Sequence, residues 1–154
     1  MERLVKFMAI LSTGLLAGAF AYAFFTVVPT FYDVPLEVHL TFRNALMRHN
    51  SAYVQSIMAL SFVTSIWLAW SLRASNSART LALSASVLVL ITFLVTRFGN
   101  VPINQMMRTW SVATLPQDYQ QLLARWLVFH NVRMVTAVSS FLCVVIAATT
   151  QKKR

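Results

Sequence analysis

Four apolar blocks alternate with polar stretches along the chain, at 7–28, 52–72, 80–98 and 130–150. Each is close to the ~20 residues an α-helix needs to cross a bilayer core. None contains an acidic residue. Arg97 and Arg133 stand at block ends, where a long side chain can carry its charge out to the headgroups. Tyr22, Tyr53, Trp67, Trp70, Trp110 and Trp126 fall mostly near the expected interfaces, as aromatic belts do. The pattern predicts an all-α fold. It is a transmembrane four-helix bundle, one integral membrane domain over 1–154, with short extra helices in the two outer-face connections.

The first block imitates a signal peptide, with a basic start, an apolar run and an Ala21-Tyr22-Ala23 sequence. The apolar run continues through Phe24, Phe25, Val27 and Val28, so a retained span is expected. Orientation rests on the basic residues. Arg3, Lys6, Arg73, Arg79, Lys152, Lys153 and Arg154 fall on one side, and Arg43, Arg48, Arg97, Arg108, Arg125 and Arg133 on the other. That tally is nearly even. The charges of the short 73–79 connection and the tail are all basic, which favours both termini in the cytoplasm; a bacterial inner membrane is the expected location. The connections 29–51 and 99–129 then face outward and hold most of the ionisable side chains.

Composition agrees. The chain is 58% hydrophobic and 11% charged, against ~45–50% and ~25% for ordinary soluble domains. A small soluble domain has too little interior to hide so much apolar surface; the lipid bilayer is the partner that can cover it. A formal charge of +9 raises the question of nucleic acid, but no basic stripe interleaved with aromatics is present, so none is expected as a partner. The lone Cys143 excludes an intramolecular disulfide and reads as packing. Gly14 and Gly18 form a GxxxG pattern suited to close helix approach, within the bundle or in a homo-oligomer. Gln55, an amide inside a span, should face other helices or a polar cavity.

The segment from Arg97 to Arg133 is the richest in chemistry. Gly99 to Asn104 should break the third helix and begin a new one, with Pro102 in its first turn. Asn104 and Arg108 then share a face, with Met107 alongside. Pro116 and Asp118 repeat the device. From there a helical pattern extends to Thr150, too long for the ~30 Å core, so the fourth helix must protrude or break before His130. Trp126, His130 and Arg133 form one stripe at i, i+4 and i+7, with Arg125 at its edge.

Asn100-x-Pro102-x-Asn104 at the end of span three, followed by Trp126-x3-His130-x2-Arg133 entering span four, resembles the anthrone-oxygenase-like family of small membrane proteins. Pro29 and the four-span layout agree, and the resemblance covers essentially the whole chain. It implies oxidation of an anthrone-like, lipophilic aromatic or quinone-like molecule, with no metal or flavin cofactor. Asn104, Trp126, His130 and Arg133 are the positions that match the family pattern.

Such an enzyme must make its substrate electron-rich enough to reduce oxygen directly, by removing a proton beside a carbonyl. That needs a base, donors for the developing oxyanion and an apolar wall. His130 suits the base. Arg133, Arg125 and Asn104 suit the donors, Trp126 and Trp110 the stacking faces, and Asn100 a further substrate contact. The same Trp-His-Arg stripe would also serve as an interfacial anchor, so a non-catalytic module binding a lipid or small hydrophobic ligand stays open. A haem or metal subunit using His130, His39 or His49 also stays open, although these histidines form no close pair and His39 and His49 read as surface loop residues.

Overall fold

The computed structural model describes residues 1–150 of the chain, so Lys152, Lys153 and Arg154 lie outside the described residues. Helix α1 (Glu2–Tyr22) passes through a π-helical turn (Ala23–Val27) into α2 (Val28–Asp33), forming one rod. Helix α3 spans Leu36–Ser71. Helix α4 (Asn76–Val95) passes through a second π-helical turn (Thr96–Asn100) into α5 (Val101–Met107). A 3-10 turn (Val112–Thr114) leads to α6 (Tyr119–Thr149). All four rods are long and apolar enough to cross a membrane. The protein is an integral membrane four-helix bundle.

Helix α1 packs on α3 and α6, and α4 packs on the same two, so α1 lies diagonal to α4 and α3 to α6. The half of the core nearer the 73–79 connection is built from small residues: Ala9, Ala69, Ala78, Ala82, Ala85 and Ala147 pack around Leu68 and Val144. Small side chains let helix backbones approach closely where no hydrophobic effect drives them together. Gly14 belongs to this set, since a Cβ there would meet the Phe141 ring at 3.2 Å, whereas nothing lies within 4 Å of Gly18. The GxxxG pattern thus seats α1 against α6 through its first glycine only. Cys143 packs against the same core. Hydroxyls link the helices, with Ser12 to Thr64 at 2.9 Å, Thr92 to Thr136 at 2.7 Å, and Ser140 donating to the Ala85 carbonyl. Gln55 is exposed on the outside of α3, contrary to the expectation that it faces other helices.

The spans outrun their apolar blocks. At ~1.5 Å per residue, α3 is ~54 Å long and α6 ~46 Å, well beyond a ~30 Å core. The stretch 29–51 is therefore no loop. It completes the first rod, turns at Val34 and Pro35, and returns as the start of α3. Helix α6 protrudes rather than breaking. Pro116 precedes its first turn instead of occupying it, and Asp118 is the N-cap residue without a side-chain cap bond. The protruding ends share a second core of Leu40, Ile103, Met107, Trp110 and Leu123.

The third helix continues across Gly99 instead of breaking. The π-helical turn absorbs the change, and Pro102 sits in the first turn of α5. Gly99 is needed for proximity, because an added Cβ would lie 2.7 Å from Phe129 Cγ. Gly99→Ala should cost ~1–3 kcal/mol, the usual penalty for overpacking. Thermal unfolding in detergent reads the effect, and an unchanged midpoint would show that α4 and α6 separate freely here.

Candidate functional site

At the end of the bundle away from the 73–79 connection, polar side chains turn inward from three rods. His130 is 2% exposed, Arg133 7%, His39 4% and Arg43 5%. Neither member of the α6 pair splays toward headgroups. Two pairs result. Arg133 Nη2 donates to His130 Nδ1 at 3.1 Å on α6, and Arg43 Nη1 donates to His39 Nε2 at 3.2 Å on α3. Helical spacing puts each pair on one face.

Trp126 joins them. Its ring stacks on His130 with centroids 5.2 Å apart and planes 3° from parallel. The Arg43 guanidinium lies 4.0 Å from the same ring centroid and Arg133 5.8 Å. The diagonal helices α3 and α6 thus meet here. Asn104 and Asn100 hold the tryptophan: its Nε1 donates to Asn104 Oδ1 at 2.8 Å, and Asn100 Nδ2 donates to its carbonyl at 3.1 Å. The first rod supplies the remaining walls. Phe24 stacks on His130, Phe20 underlies Arg133, and Phe31 stacks on His39 at 4.6 Å while also lying beneath Arg43. Phe24 and Asn100 both sit in the π-helical turns, irregularities that often mark functional sites.

The electrostatics are one-sided. Asp33, Glu37 and Asp118 are exposed, and the one ion pair among the described residues joins Lys6 and Glu2 at the other end of the first rod. Two buried guanidiniums therefore have no carboxylate. Desolvating each ion costs several kcal/mol, and an aromatic face returns ~2 kcal/mol when desolvated. The ring contacts offset part of that cost and leave the site positive.

Two donors are also unused. His130 Nε2 and Arg133 Nε are buried without partners, as is the acceptor Asn100 Oδ1. A guanidinium has no acceptor. The ring nitrogen facing Arg133 must therefore accept, and the His130 proton sits on Nε2 as a free N–H.

The sequence-derived set divides accordingly. His130, Arg133, Trp126, Asn104 and Asn100 come together. Arg125 does not, since it is exposed and lies over Phe129, 5.6 Å from its centroid. Trp110 is buried one layer nearer the bundle end, in the core of Leu40, Ile103, Met107 and Leu123 against which Trp126 packs. Arg108 is exposed. His49 is exposed as expected, but His39 is a buried member of the site rather than a loop residue. His39, Arg43, Phe20, Phe24 and Phe31 were missed. The His39-x3-Arg43 spacing is the available signal, hidden because the polar stretch 29–51 has the pattern of a loop.

A model of the anthrone oxygenase family matches residues 42–143, about two-thirds of the chain. The chain belongs to the anthrone oxygenase family. No curated protein and no solved structure matches it. The matched region includes Arg43, Asn100, Asn104, Trp126, His130 and Arg133, while Phe20, Phe24, Phe31 and His39 precede it. Among the described residues, no three His, Cys, Asp or Glu side chains converge as metal ligands would.

Proposed function

We propose that this anthrone oxygenase family member is a membrane-embedded oxygenase of lipophilic, planar aromatic ketones, with anthrones the first class to test. The observation that carries the reading is the buried, carboxylate-free set of Arg43, Arg133 and His130 around Trp126, with N–H donors left unpartnered. Preorganised donors in a dry site are what a developing oxyanion requires.

In the proposed reaction the substrate reacts as its enolate. Its ring oxygen takes the His130 Nε2–H and a guanidinium, and its rings stack in the aromatic layer. The enolate carbon passes electrons to dioxygen and forms a C–O bond, giving a peroxide anion. The second C–H then breaks as the O–O bond breaks. The carbonyl forms, and the hydrogen leaves with the terminal oxygen as hydroxide. Carbon loses four electrons and dioxygen gains four.

His130 serves here as a donor rather than the base expected from sequence, because Arg133 already occupies its acceptor nitrogen. Asn104 serves by fixing Trp126. Trp126 packed over His130 must shift to admit a ring. Purified protein should accelerate oxygen uptake by an anthrone over the detergent blank. Uptake no faster than the blank, with folded protein, would overturn the reading.

We place the site at the outer face of the inner membrane, with the N-terminus cytoplasmic. The basic 73–79 connection supports this orientation. Cysteines placed at Val38 and Gln117, both exposed, should react with an impermeant reagent in intact cells, while one at Ser75 should not. The reverse pattern would invert the topology.

A further inference from the structure

We propose that the site takes its ligand as an anion, an aromatic enolate or phenolate, held between Arg43 and Arg133 with His130 Nε2–H on its oxygen. This rests on the oxygenase reading only for the aromatic class of ligand. The charge of the ligand follows from the site itself.

The groups facing the site are few. Helix α3 contributes His39 and Arg43, and α6 contributes His130, Arg133 and Trp126. Helix α5 and the turn before it contribute the neutral Asn104 and Asn100. The first rod contributes Phe20, Phe24 and Phe31, with the exposed Tyr32 edge-on to His39. No acid is among them. Both imidazoles have one nitrogen occupied by an arginine, so neither offers a free acceptor to a substrate proton. The free acceptors are amide oxygens such as Asn100 Oδ1, which are very weak bases. A neutral ligand would leave two buried cations uncompensated, whereas a monoanion satisfies them and accepts from the unused donors. The proton is therefore left outside with water, and the site selects and stabilises the ligand that has already lost it.

A hydroxylated anthraquinone tests this without turnover. It has the shape of an oxidation product, cannot be oxidised further at the ring carbonyls, and changes colour when its phenol ionises. Bound to purified protein in neutral detergent, the dye should ionise ~1–3 pH units below the free dye, the usual effect of a nearby cation. Arg43→Gln combined with Arg133→Gln should abolish the shift, and Lys at both positions should restore most of it. Arg108→Gln, at an exposed position outside the site, should change nothing. The lysine variant also guards against a loss that merely reflects misfolding. Ionisation at or above the pH of the free dye, or no binding of either form, would overturn the proposal. Anthrone oxidation without the shift would sink the anion reading alone, and the shift without oxidation would sink the oxygenase reading alone.

Discussion

Replacing His130 with Phe is expected to slow anthrone oxidation by ~10²–10³-fold, the usual consequence of losing one donor to an oxyanion. Phenylalanine keeps a flat ring between Trp126 and Phe24 and removes both ring nitrogens, the Nε2–H donor and the acceptor that Arg133 uses. His130→Ala should lose as much activity, but it also removes a ring buried to 2% exposure and opens a hole, so it should be less stable as well. Comparing the two separates chemistry from packing. His49→Ala is the appropriate control and should be near wild type, because that side chain is exposed. His39→Ala is no control: it strips Arg43 of its hydrogen-bond partner and Phe31 of its stacking partner. Near-normal oxidation by a folded His130→Phe protein would remove His130 from the chemistry.

The second large effect has opposite signs in two assays. Arg133→Met should slow turnover ~10²–10³-fold through the same loss of oxyanion stabilisation. The unliganded protein should become more stable, because the substitution removes a buried cation that has no carboxylate partner. Replacing buried ionic groups with apolar ones of similar size is often stabilising by ~1–4 kcal/mol. Arg43→Met should behave likewise, with the loss of its stacking on Trp126 and Phe31 reducing the gain. Such a trade of stability against activity is expected where a site is built for its ligand rather than for the empty protein. A thermal melt and a rate measurement on the same sample check it. If both arginine variants are destabilised and fully active, the guanidiniums are structural.

The bundle was legible because lipid imposes a simple rule: about twenty apolar residues per crossing. The Trp126, His130 and Arg133 stripe was legible for a similar reason, since helical spacing alone places the three on one face. Asn104 beside Trp126 followed from the single connection that separates them. The other half of the site was hidden. His39 and Arg43 stand in a polar stretch that reads as a loop, because its apolar density is too low for a span. In the folded protein that stretch is the protruding start of α3, and its inner face is covered by Phe31 and Trp126 instead of lipid. Phe20, Phe24 and Phe31 look like any lipid-facing residues of a span. Nothing local distinguishes an aromatic that meets acyl chains from one that meets a guanidinium. Arg125 erred the other way: adjacent to the stripe in sequence, it is turned about 100° from its neighbour around the helix and faces outward.

The central claim is that this site lets a bound aromatic enolate react directly with dioxygen. Supplying isotopically labelled dioxygen to the purified protein with an anthrone, and weighing the quinone formed at early times, tests it most directly. The account predicts one labelled oxygen atom per quinone, formed faster than in the detergent blank, with the acceleration lost in Arg133→Met and His130→Phe. Unlabelled quinone, or labelled quinone formed equally fast by those folded variants, would contradict it.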